Sequence, residues 1–209
     1  MTDTKNVTLD TNEQKVSYGF GWQFGSQLQS NNFEGLELEA VIAAITDCYK
    51  GQKIRLSEQE LNDAYAAVED TRRAADAKKA EKMAELGNTF LEENAKRDGV
   101  EVTESGVQYE ILEAGDGKKP GPTDKVRTHY HGTFIDGSVF DSSVDRNQPA
   151  EFGVNQVIAG WTEILQMMPI GSKWRITVPY TLAYGEAGSP PAIPPKTVLV
   201  FEIHLIDIV

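Results

Sequence analysis

The 209-residue chain changes character close to residue 96, and this change constrains its fold more than any other feature of the sequence. All nine prolines lie beyond residue 119, where β-branched and aromatic residues also cluster. Before residue 96, apolar residues recur at helical spacing. Proline is excluded from helix interiors, and a period of two indicates strands. The sequence therefore predicts an all-α region followed by a mostly β region.

The first predicted helix carries an apolar stripe beside a row of small residues. The stripe repeats at every fourth position, at Val16, Phe20, Phe24 and Leu28. The small row includes Gly21 and Gly25. Because glycine costs about 1 kcal/mol in a helix interior, this row favours close approach of a second helix and hence self-association. A flexible, irregular stretch is the alternative.

A second helix is predicted to end at Gly51, with an apolar face at Leu38, Val41, Ile42 and Ile45. The single cysteine, Cys48, lies in this segment, so no internal disulfide is possible. Its place in a helical pattern predicts a buried, inert thiol rather than a nucleophile.

A third, much longer helix is predicted to open at Ser57, with Glu60 completing a capping box, and to run to about Lys96. At 1.5 Å per residue its length would be about 60 Å. Its middle, "EDTRRAADAKKAEK", has no apolar side chain larger than alanine, which favours a solvated helix linking two domains over a coiled coil. The predicted domains are 1–56, a helical dimerisation region; 57–96, a long linking helix; and 97–209, the β-rich domain.

Period-two alternation in the second half predicts antiparallel strands with one apolar face. The positions predicted for that face are Val126, Thr128, Tyr130, Phe134, Trp174, Ile176, Val178, Leu199, Phe201, Ile203 and Leu205. One short helix, with Trp161, Ile164, Leu165 and Met168 on one face, is predicted to end at Pro169 and Gly171. A helix against one sheet face gives an α+β fold. Asp136-Gly137 predicts a type I′ hairpin turn.

Four segments of this half resemble the macrolide-binding FKBP family of peptidyl-prolyl cis-trans isomerases. They read "HYHGTFIDGSVFDSSVDRNQPAEF", "VIAGWTEIL", "MPIGSKWRITVPYTLAYGEAG" and "IPPKTVLVFEIHLIDI". The resemblance runs from about Thr103 to Val209. The helical half is similar to the dimerisation module of two-domain, Mip-type bacterial FKBPs. The segment "MTDTKNVTLDTNEQK" lacks the apolar core of a secretion signal, so we expect the cytoplasmic branch of that group.

The resemblance implies an antiparallel sheet of five to six strands wrapped around the short helix, with an apolar pocket between them. It implies catalytic roles for Asp141, at the pocket edge, and Tyr184, whose hydroxyl could donate to a substrate carbonyl. It implies substrate binding by Tyr130, Phe140, Arg146, Phe152, Val157, Ile158, Trp161, Ile193 and Phe201. The alternatives are an Asp141 that caps a turn before two serines and aromatic residues that serve only as core. Ala150 and Ser189 are smaller than the usual family residues, so we expect a more open rim.

The chemistry that the resemblance implies requires no nucleophile, metal or cofactor. An X-Pro amide resists rotation by about 18–20 kcal/mol because resonance flattens it, and an apolar pocket that binds the twisted bond more tightly lowers that barrier. His129 and His131, two apart on a predicted strand, superficially suggest a metal edge. They lie on the face opposite Tyr130, and a solvated pair is the favoured interpretation.

The leading functional prediction is therefore a peptidyl-prolyl cis-trans isomerase (EC 5.2.1.8) with chaperone activity through a dimeric helical domain. A chaperone that holds unfolded or proline-containing segments with little turnover is the alternative. The expected partners are such polypeptides, macrolide inhibitors of the rapamycin type and a second copy of the chain. A net charge of −12 disfavours nucleic acid, and no apolar run reaches the roughly 20 residues of a bilayer span. We expect a cytoplasmic protein.

Overall fold

The computed structural model describes residues 7–209, and its contacts divide the chain into two compact units. One unit extends to Ala74 and the other starts at Ala75. Residues 1–6, which belong to the predicted helical region and to the polar segment "MTDTKNVTLDTNEQK", lie outside the described residues. The predicted domain limits stay predictions.

Two helices and the start of a third form the first unit. Helix α1 spans Asn12–Ser30, α2 spans Leu38–Tyr49 and α3 begins at Glu58. The capping box at the start of α3 is confirmed, since the backbone N–H of Ser57 donates to Glu60 Oε2 (2.8 Å) and that of Glu60 donates to Ser57 Oγ (3.2 Å). Gly51 follows α2 with a φ of +69°, as its predicted role requires.

Most apolar side chains of α1 and α2 are exposed. No residue of α1 is buried against the described part of the chain. The prediction of a buried Cys48 is wrong, because the thiol is exposed. The thiol is not covered because α2 packs little of its surface against the described part of the chain. Within α2, only Asp47 is buried. Among residues 7–209, no helix combines the length and apolar character needed to cross a bilayer.

Helix α3 is one continuous element from Glu58 to Asn94, about 56 Å long. Its middle is largely exposed, as predicted. Its C-terminal half has one covered face, on which Ala80, Gly87 and Asn94 are buried at intervals of seven residues. Seven residues are close to two helical turns, so these three positions share one face. This half of α3 belongs to the second compact unit.

The second unit is built on one antiparallel sheet. Its strands are β1 (Val100–Val102), β2 (Gln108–Glu113), β3 (Lys125–Thr133), β4 (Val139–Ser142), β5 (Ala150–Gly153), β6 (Lys173–Val178) and β7 (Leu199–Ile208). Their order is β1-β2-β6-β7-β3-β4, with β5 also pairing with β3. The sheet therefore has seven strands rather than the expected five or six, because the three-residue β1 and the four-residue β5 add short pairings at its margins.

The predicted alternation is confirmed in the long strands. In β3 the side chains of Val126, Thr128 and Tyr130 are buried and those between them are only partly so. In β7 every second residue from Leu199 to Leu205 is buried. The short helix, α4, spans Ala159–Met167 and turns its predicted apolar face into the same core. Burial of one sheet face beneath one helix is the physical basis of the α+β fold.

The hairpin turn between β3 and β4 differs from the prediction. Gly137 has a φ of +85°, but Asp136 does not have a positive φ, so the turn is not of type I′. The N–H of Gly137 donates to the carbonyl of Phe134, and the N–H of Phe134 donates to Ser138. This is a three-residue loop closed by a glycine bulge. Asp136 instead accepts hydrogen bonds from the backbone and hydroxyl of Ser138, at 2.9 and 2.6 Å.

Candidate active site

An indole ring forms the floor of the site predicted from the sequence. Trp161 lies in the first turn of α4 and is 4% exposed. Three rings meet it nearly edge-on, with centroid distances of 5.6 Å to Tyr130, 5.8 Å to Phe152 and 5.2 Å to Phe201. Gly160 allows this packing, since a Cβ there would lie 2.5 Å from Val178 on β6. The start of α4 can approach the sheet only because that position has no side chain.

A second aromatic group extends the wall from Phe201. Phe140 packs against Phe201 with centroids 5.5 Å apart and against Phe134 at 5.1 Å. Gly132 on β3 lies next to Phe140 and Phe201, where a Cβ would approach these rings to 2.7 and 3.1 Å. The glycine therefore provides the space that these two rings fill.

The remaining predicted apolar residues come from two segments that connect the sheet with its helices and turns. Val157 and Ile158 precede α4 and pack against the core, and the hydroxyl of Thr162 donates to the carbonyl of Val154 (2.7 Å), which ties α4 to this segment. Ile193 is 5% exposed, whereas Tyr184 is 42% exposed. Tyr184 is thus partly exposed, while Ile193 belongs to the core.

A polar triangle borders the aromatic rings. The hydroxyl of Tyr130 donates to Asp141 Oδ2 (2.5 Å), Arg146 Nη1 forms an ion pair with Asp141 Oδ1, and Arg146 Nη2 donates to the Tyr130 oxygen (2.9 Å). The guanidinium also lies 5.8 Å from the Tyr130 ring centre. The structure brings the three predicted polar residues together at one edge of the aromatic cluster.

These contacts lower the pKa of Asp141 and raise the pKa of Tyr130. Burial raises the pKa of Asp141, but the hydrogen bonds from Tyr130 and Arg146 outweigh it, so the pKa lies below its ordinary value of 3.8. Burial, followed by the hydrogen bond to Asp141, raises the pKa of Tyr130 above 10.0. At neutral pH the site therefore holds a carboxylate, a neutral phenol and a guanidinium.

Two serines that the sequence did not single out hold Asp141 in place. Ser143 is fully buried; its hydroxyl accepts from the N–H of Tyr130 (2.7 Å), and its own N–H donates to the Tyr130 carbonyl (2.9 Å). Ser142 accepts from the N–H of Asp145 (3.1 Å) and so caps the turn that follows β4. Small hydroxyl residues in "DSS" also suit an exposed turn, so the sequence contained no signal for this bracing role.

The two histidines are neither fully solvated nor grouped as metal ligands. His129 Nδ1 lies 3.1 Å from the Ser143 hydroxyl, and His131 Nδ1 lies 2.9 Å from that of Ser142. Both are partly buried, which corrects the expectation of a solvated pair. Among residues 7–209, no group of three or more His, Cys, Asp or Glu side chains could hold a metal ion.

Comparison with known proteins agrees with this geometry. Residues 116–206 match the family model for FKBP-type peptidyl-prolyl cis-trans isomerases, and residues 13–111 match the model for the domain amino-terminal to such isomerases. The FKBP-type 22 kDa peptidyl-prolyl cis-trans isomerase of Escherichia coli K12 is 47% identical over 201 residues, which are 96% of this chain and 98% of that protein. The chain belongs to the FKBP-type peptidyl-prolyl cis-trans isomerases.

One further relative and two solved structures are also similar to this chain. The outer membrane protein MIP of Legionella longbeachae is 38% identical over 212 residues, covering 100% of this chain and 91% of that protein. The crystal structure of FkpA from E. coli matches with a TM-score of 0.75 and 33% identity over 96% of this chain and 98% of that one. An isomerase from Pseudomonas syringae pv. tomato matches 62% of the chain with a TM-score of 0.58 and 39% identity. The FKBP-like fold after a helical domain is therefore confirmed.

Replacing Asp141 with alanine should lower kcat/KM on a short X-Pro peptide about tenfold, because the Tyr130 hydroxyl and Arg146 lose the charge that orients them. Little stability should be lost, since the Asp141 side chain is 42% exposed. Asp136→Ala is the matched control, because it removes a turn carboxylate outside the polar triangle. Turnover equal to that of the control would contradict a catalytic role for Asp141.

The pH profile of kcat/KM should be flat from about pH 5 to pH 9. The lowered pKa of Asp141 keeps its ion pair intact above 3.8, and the pair is lost as the pH falls through the lowered value. The raised pKa of Tyr130 keeps its hydrogen bond intact below 10.0, with loss only as the pH rises through the raised value. A profile that titrates near neutrality in the wild type, on a peptide without ionisable groups, would contradict this assignment.

Proposed function

We propose that the protein accelerates X-Pro rotation in polypeptides by holding the bond against the indole of Trp161. The observation that carries this proposal is the packing of Tyr130, Phe152 and Phe201 nearly perpendicular to that indole, with Asp141 and Arg146 hydrogen-bonded beside Tyr130. The planar amide is favoured by charge separation, which water stabilises and an apolar surface does not. A site that binds the twisted, less charge-separated amide more tightly lowers the barrier.

The polar edge acts by position and charge rather than by proton transfer. Both Asp141 oxygens are bound, one to Tyr130 and one to Arg146, and the lowered pKa keeps the group ionised. An ionised carboxylate has no proton to donate, and one with a lowered pKa whose oxygens already accept hydrogen bonds is a poor proton acceptor. Its proposed task is to fix Tyr130 and Arg146 beside the substrate, while the hydroxyl of the partly exposed Tyr184 donates to a substrate carbonyl.

A protease-coupled assay on a short X-Pro peptide tests this proposal. We expect turnover that a macrolide of the rapamycin type inhibits. We expect Trp161→Leu to weaken both the turnover and the binding of the macrolide. Because the ring is also core, a thermal melt must accompany the assay; Trp174→Leu, a matched change of another buried tryptophan, controls for lost stability. Tight macrolide binding without turnover by the wild type would instead favour a holding chaperone that barely isomerises.

Dimerisation is a second proposal, and the observation that favours it is the exposed apolar surface of α1 and α2. Their exposed fractions include 60% for Phe20, 60% for Phe24, 53% for Leu38 and 51% for Ile45. Contiguous apolar surface of this kind rarely remains in contact with water in a monomer. A symmetric pair of helical units would bury the same patch twice.

We place the second copy at a groove between α1 and α2. Its volume is about 970 Å³, and its walls include Phe20, Phe24, Leu38, Ile42 and Ile45. Gly21 and Gly25 also line it, and a Cβ at either position would meet no described atom within 4 Å. Their lack of side chains therefore serves no packing within one described chain, which supports close approach of a partner helix.

Leucine at Gly21 and Gly25 should separate the proposed dimer, because the new side chains fill the groove. Sedimentation of the full chain should show a dimer for the wild type and a monomer for the double variant. Gly19→Leu is the control: it improves helix propensity similarly, yet Gly19 does not line the groove. A monomeric wild type, or a double variant that stays dimeric, would refute this interface.

Chaperone activity follows from the dimer in this proposal, since two linked pockets bind one unfolded chain with avidity. The Gly21→Leu/Gly25→Leu variant should therefore turn over a short peptide almost normally but protect a large unfolded protein less well.

The cytoplasm is the compartment that we propose. Cys48 is exposed and has no second cysteine in its chain, a state that a reducing compartment preserves. Fractionation of the source cells tests this proposal, and recovery with periplasmic or membrane proteins would overturn it.

A further inference from the structure

The loop of residues 183–198, called here the Tyr184 loop, carries two of the predicted pocket residues, Tyr184 and Ile193. It connects a short 3-10 turn at Tyr180–Leu182 with β7. Within the loop, Ser189 and Ile193 exchange two backbone hydrogen bonds of 2.9 Å each. The N–H of Lys196 donates to the carbonyl of Gly185 (3.1 Å). The backbone next to Tyr184 is therefore held by the backbone of Lys196.

Lys196 is in turn held by helix α3. Its ammonium lies 2.5 Å from Glu81 Oε1 and 3.1 Å from Glu186 Oε2. The Lys196 side chain is only 15% exposed, whereas the side chains of Glu81 and Glu186 are 71% and 73% exposed. Glu81, followed by Glu186, raises the pKa of Lys196 above its ordinary 10.5. Lys196 also has a φ of +53°, an uncommon conformation for a residue with a side chain.

The same helix packs closely against the end of the Tyr184 loop. A Cβ on Gly87 would lie 2.6 Å from Cγ2 of Val198, which is 2% exposed. Two turns further on, Asn94 donates to Gln108 Oε1 (2.7 Å), and Gln108 Nε2 donates to the carbonyl of Leu91 (2.8 Å). These bonds fix the end of α3 to β2, so the helix is a rigid support and not a loosely attached strap.

We propose that the C-terminal half of α3 positions the Tyr184 loop for substrate binding, with Glu81 and Gly87 as positioning residues. Glu81 acts through Lys196 on the backbone beside Tyr184, and Gly87 acts through Val198 on the junction with β7. Neither touches the aromatic cluster. The alternative is that α3 only adds stability. This inference rests on the isomerase function, and active wild-type protein with unaffected variants would refute the positioning role alone.

Kinetics of full-length Glu81→Ala provide the first test. Alanine is the best helix former, so the helix remains intact. Glu85→Ala is the matched control, because it removes a carboxylate from the same helix. Among the described residues, the Glu85 carboxylate forms no ion pair with the loop. We expect Glu81→Ala to raise KM for an X-Pro peptide about threefold with kcat nearly unchanged. The Kd for a macrolide should rise in parallel, and Glu85→Ala should change neither. Equal kinetics for the two variants, at a temperature where both are folded, would overturn the role of Glu81.

Complementary changes of size provide the second test. Gly87→Ala should raise KM because its methyl group displaces Val198, and Gly87→Ala/Val198→Ala should restore KM by removing the opposing methyl groups. If Gly87 only adds stability, Gly87→Ala would lower the melting temperature and leave KM of the folded protein unaltered. Circular dichroism and melting of each variant separate the two effects. Failure of the double variant to recover KM, with the fold intact, would overturn the role of Gly87.

Discussion

The packing of one nine-residue helix, α4, against one face of the sheet is the contact on which the isomerase domain depends. Ile164, Leu165 and Met168 are fully buried there and contribute the apolar area that stabilises the domain. Trp161, at the other end of the same face, is buried by the same contact, and three other rings pack nearly perpendicular to its indole. The core and the site floor are therefore one structure, and the position of the floor is fixed by the packing that folds the domain.

The placement of charge follows from the same constraint. An ionised group within the aromatic cluster would be expensive to desolvate, so the polar triangle lies at its edge, where Asp141 and Arg146 stay partly exposed. The rim residues are nevertheless ordered, because Ser143 ties the chain after β4 to the backbone of Tyr130 through three hydrogen bonds. A short strand end braced in this way can present Asp141 beside the cluster even though its neighbour Phe140 packs inward.

Much of this could be predicted, because the signals involved are periodic and apolar. Alternation identified β3, β6 and β7, and helical spacing identified α4 with the correct buried face. The family resemblance then supplied Asp141 and Arg146, which no periodicity marks. The turn at Asp136-Gly137 was predicted wrongly because the dipeptide suits two turn types, and the choice depended on hydrogen bonds to Ser138 and on the register between β3 and β4. The burial of Cys48 was predicted wrongly because a helical apolar pattern shows that a face can be covered but not what covers it.

The C-terminal half of α3 escaped prediction for a different physical reason. Its buried face consists of Ala80, Gly87 and Asn94, and none of these contributes the large apolar side chain that a hydrophobic stripe requires. Here burial follows from smallness and from hydrogen bonding. Gly87 is buried because Val198 occupies the space of its missing side chain, and Asn94 because Gln108 satisfies its amide. A segment can thus look fully solvated in sequence and still make a close, specific contact. Such a contact fixes the neighbouring segment in place, because close packing leaves little room for movement.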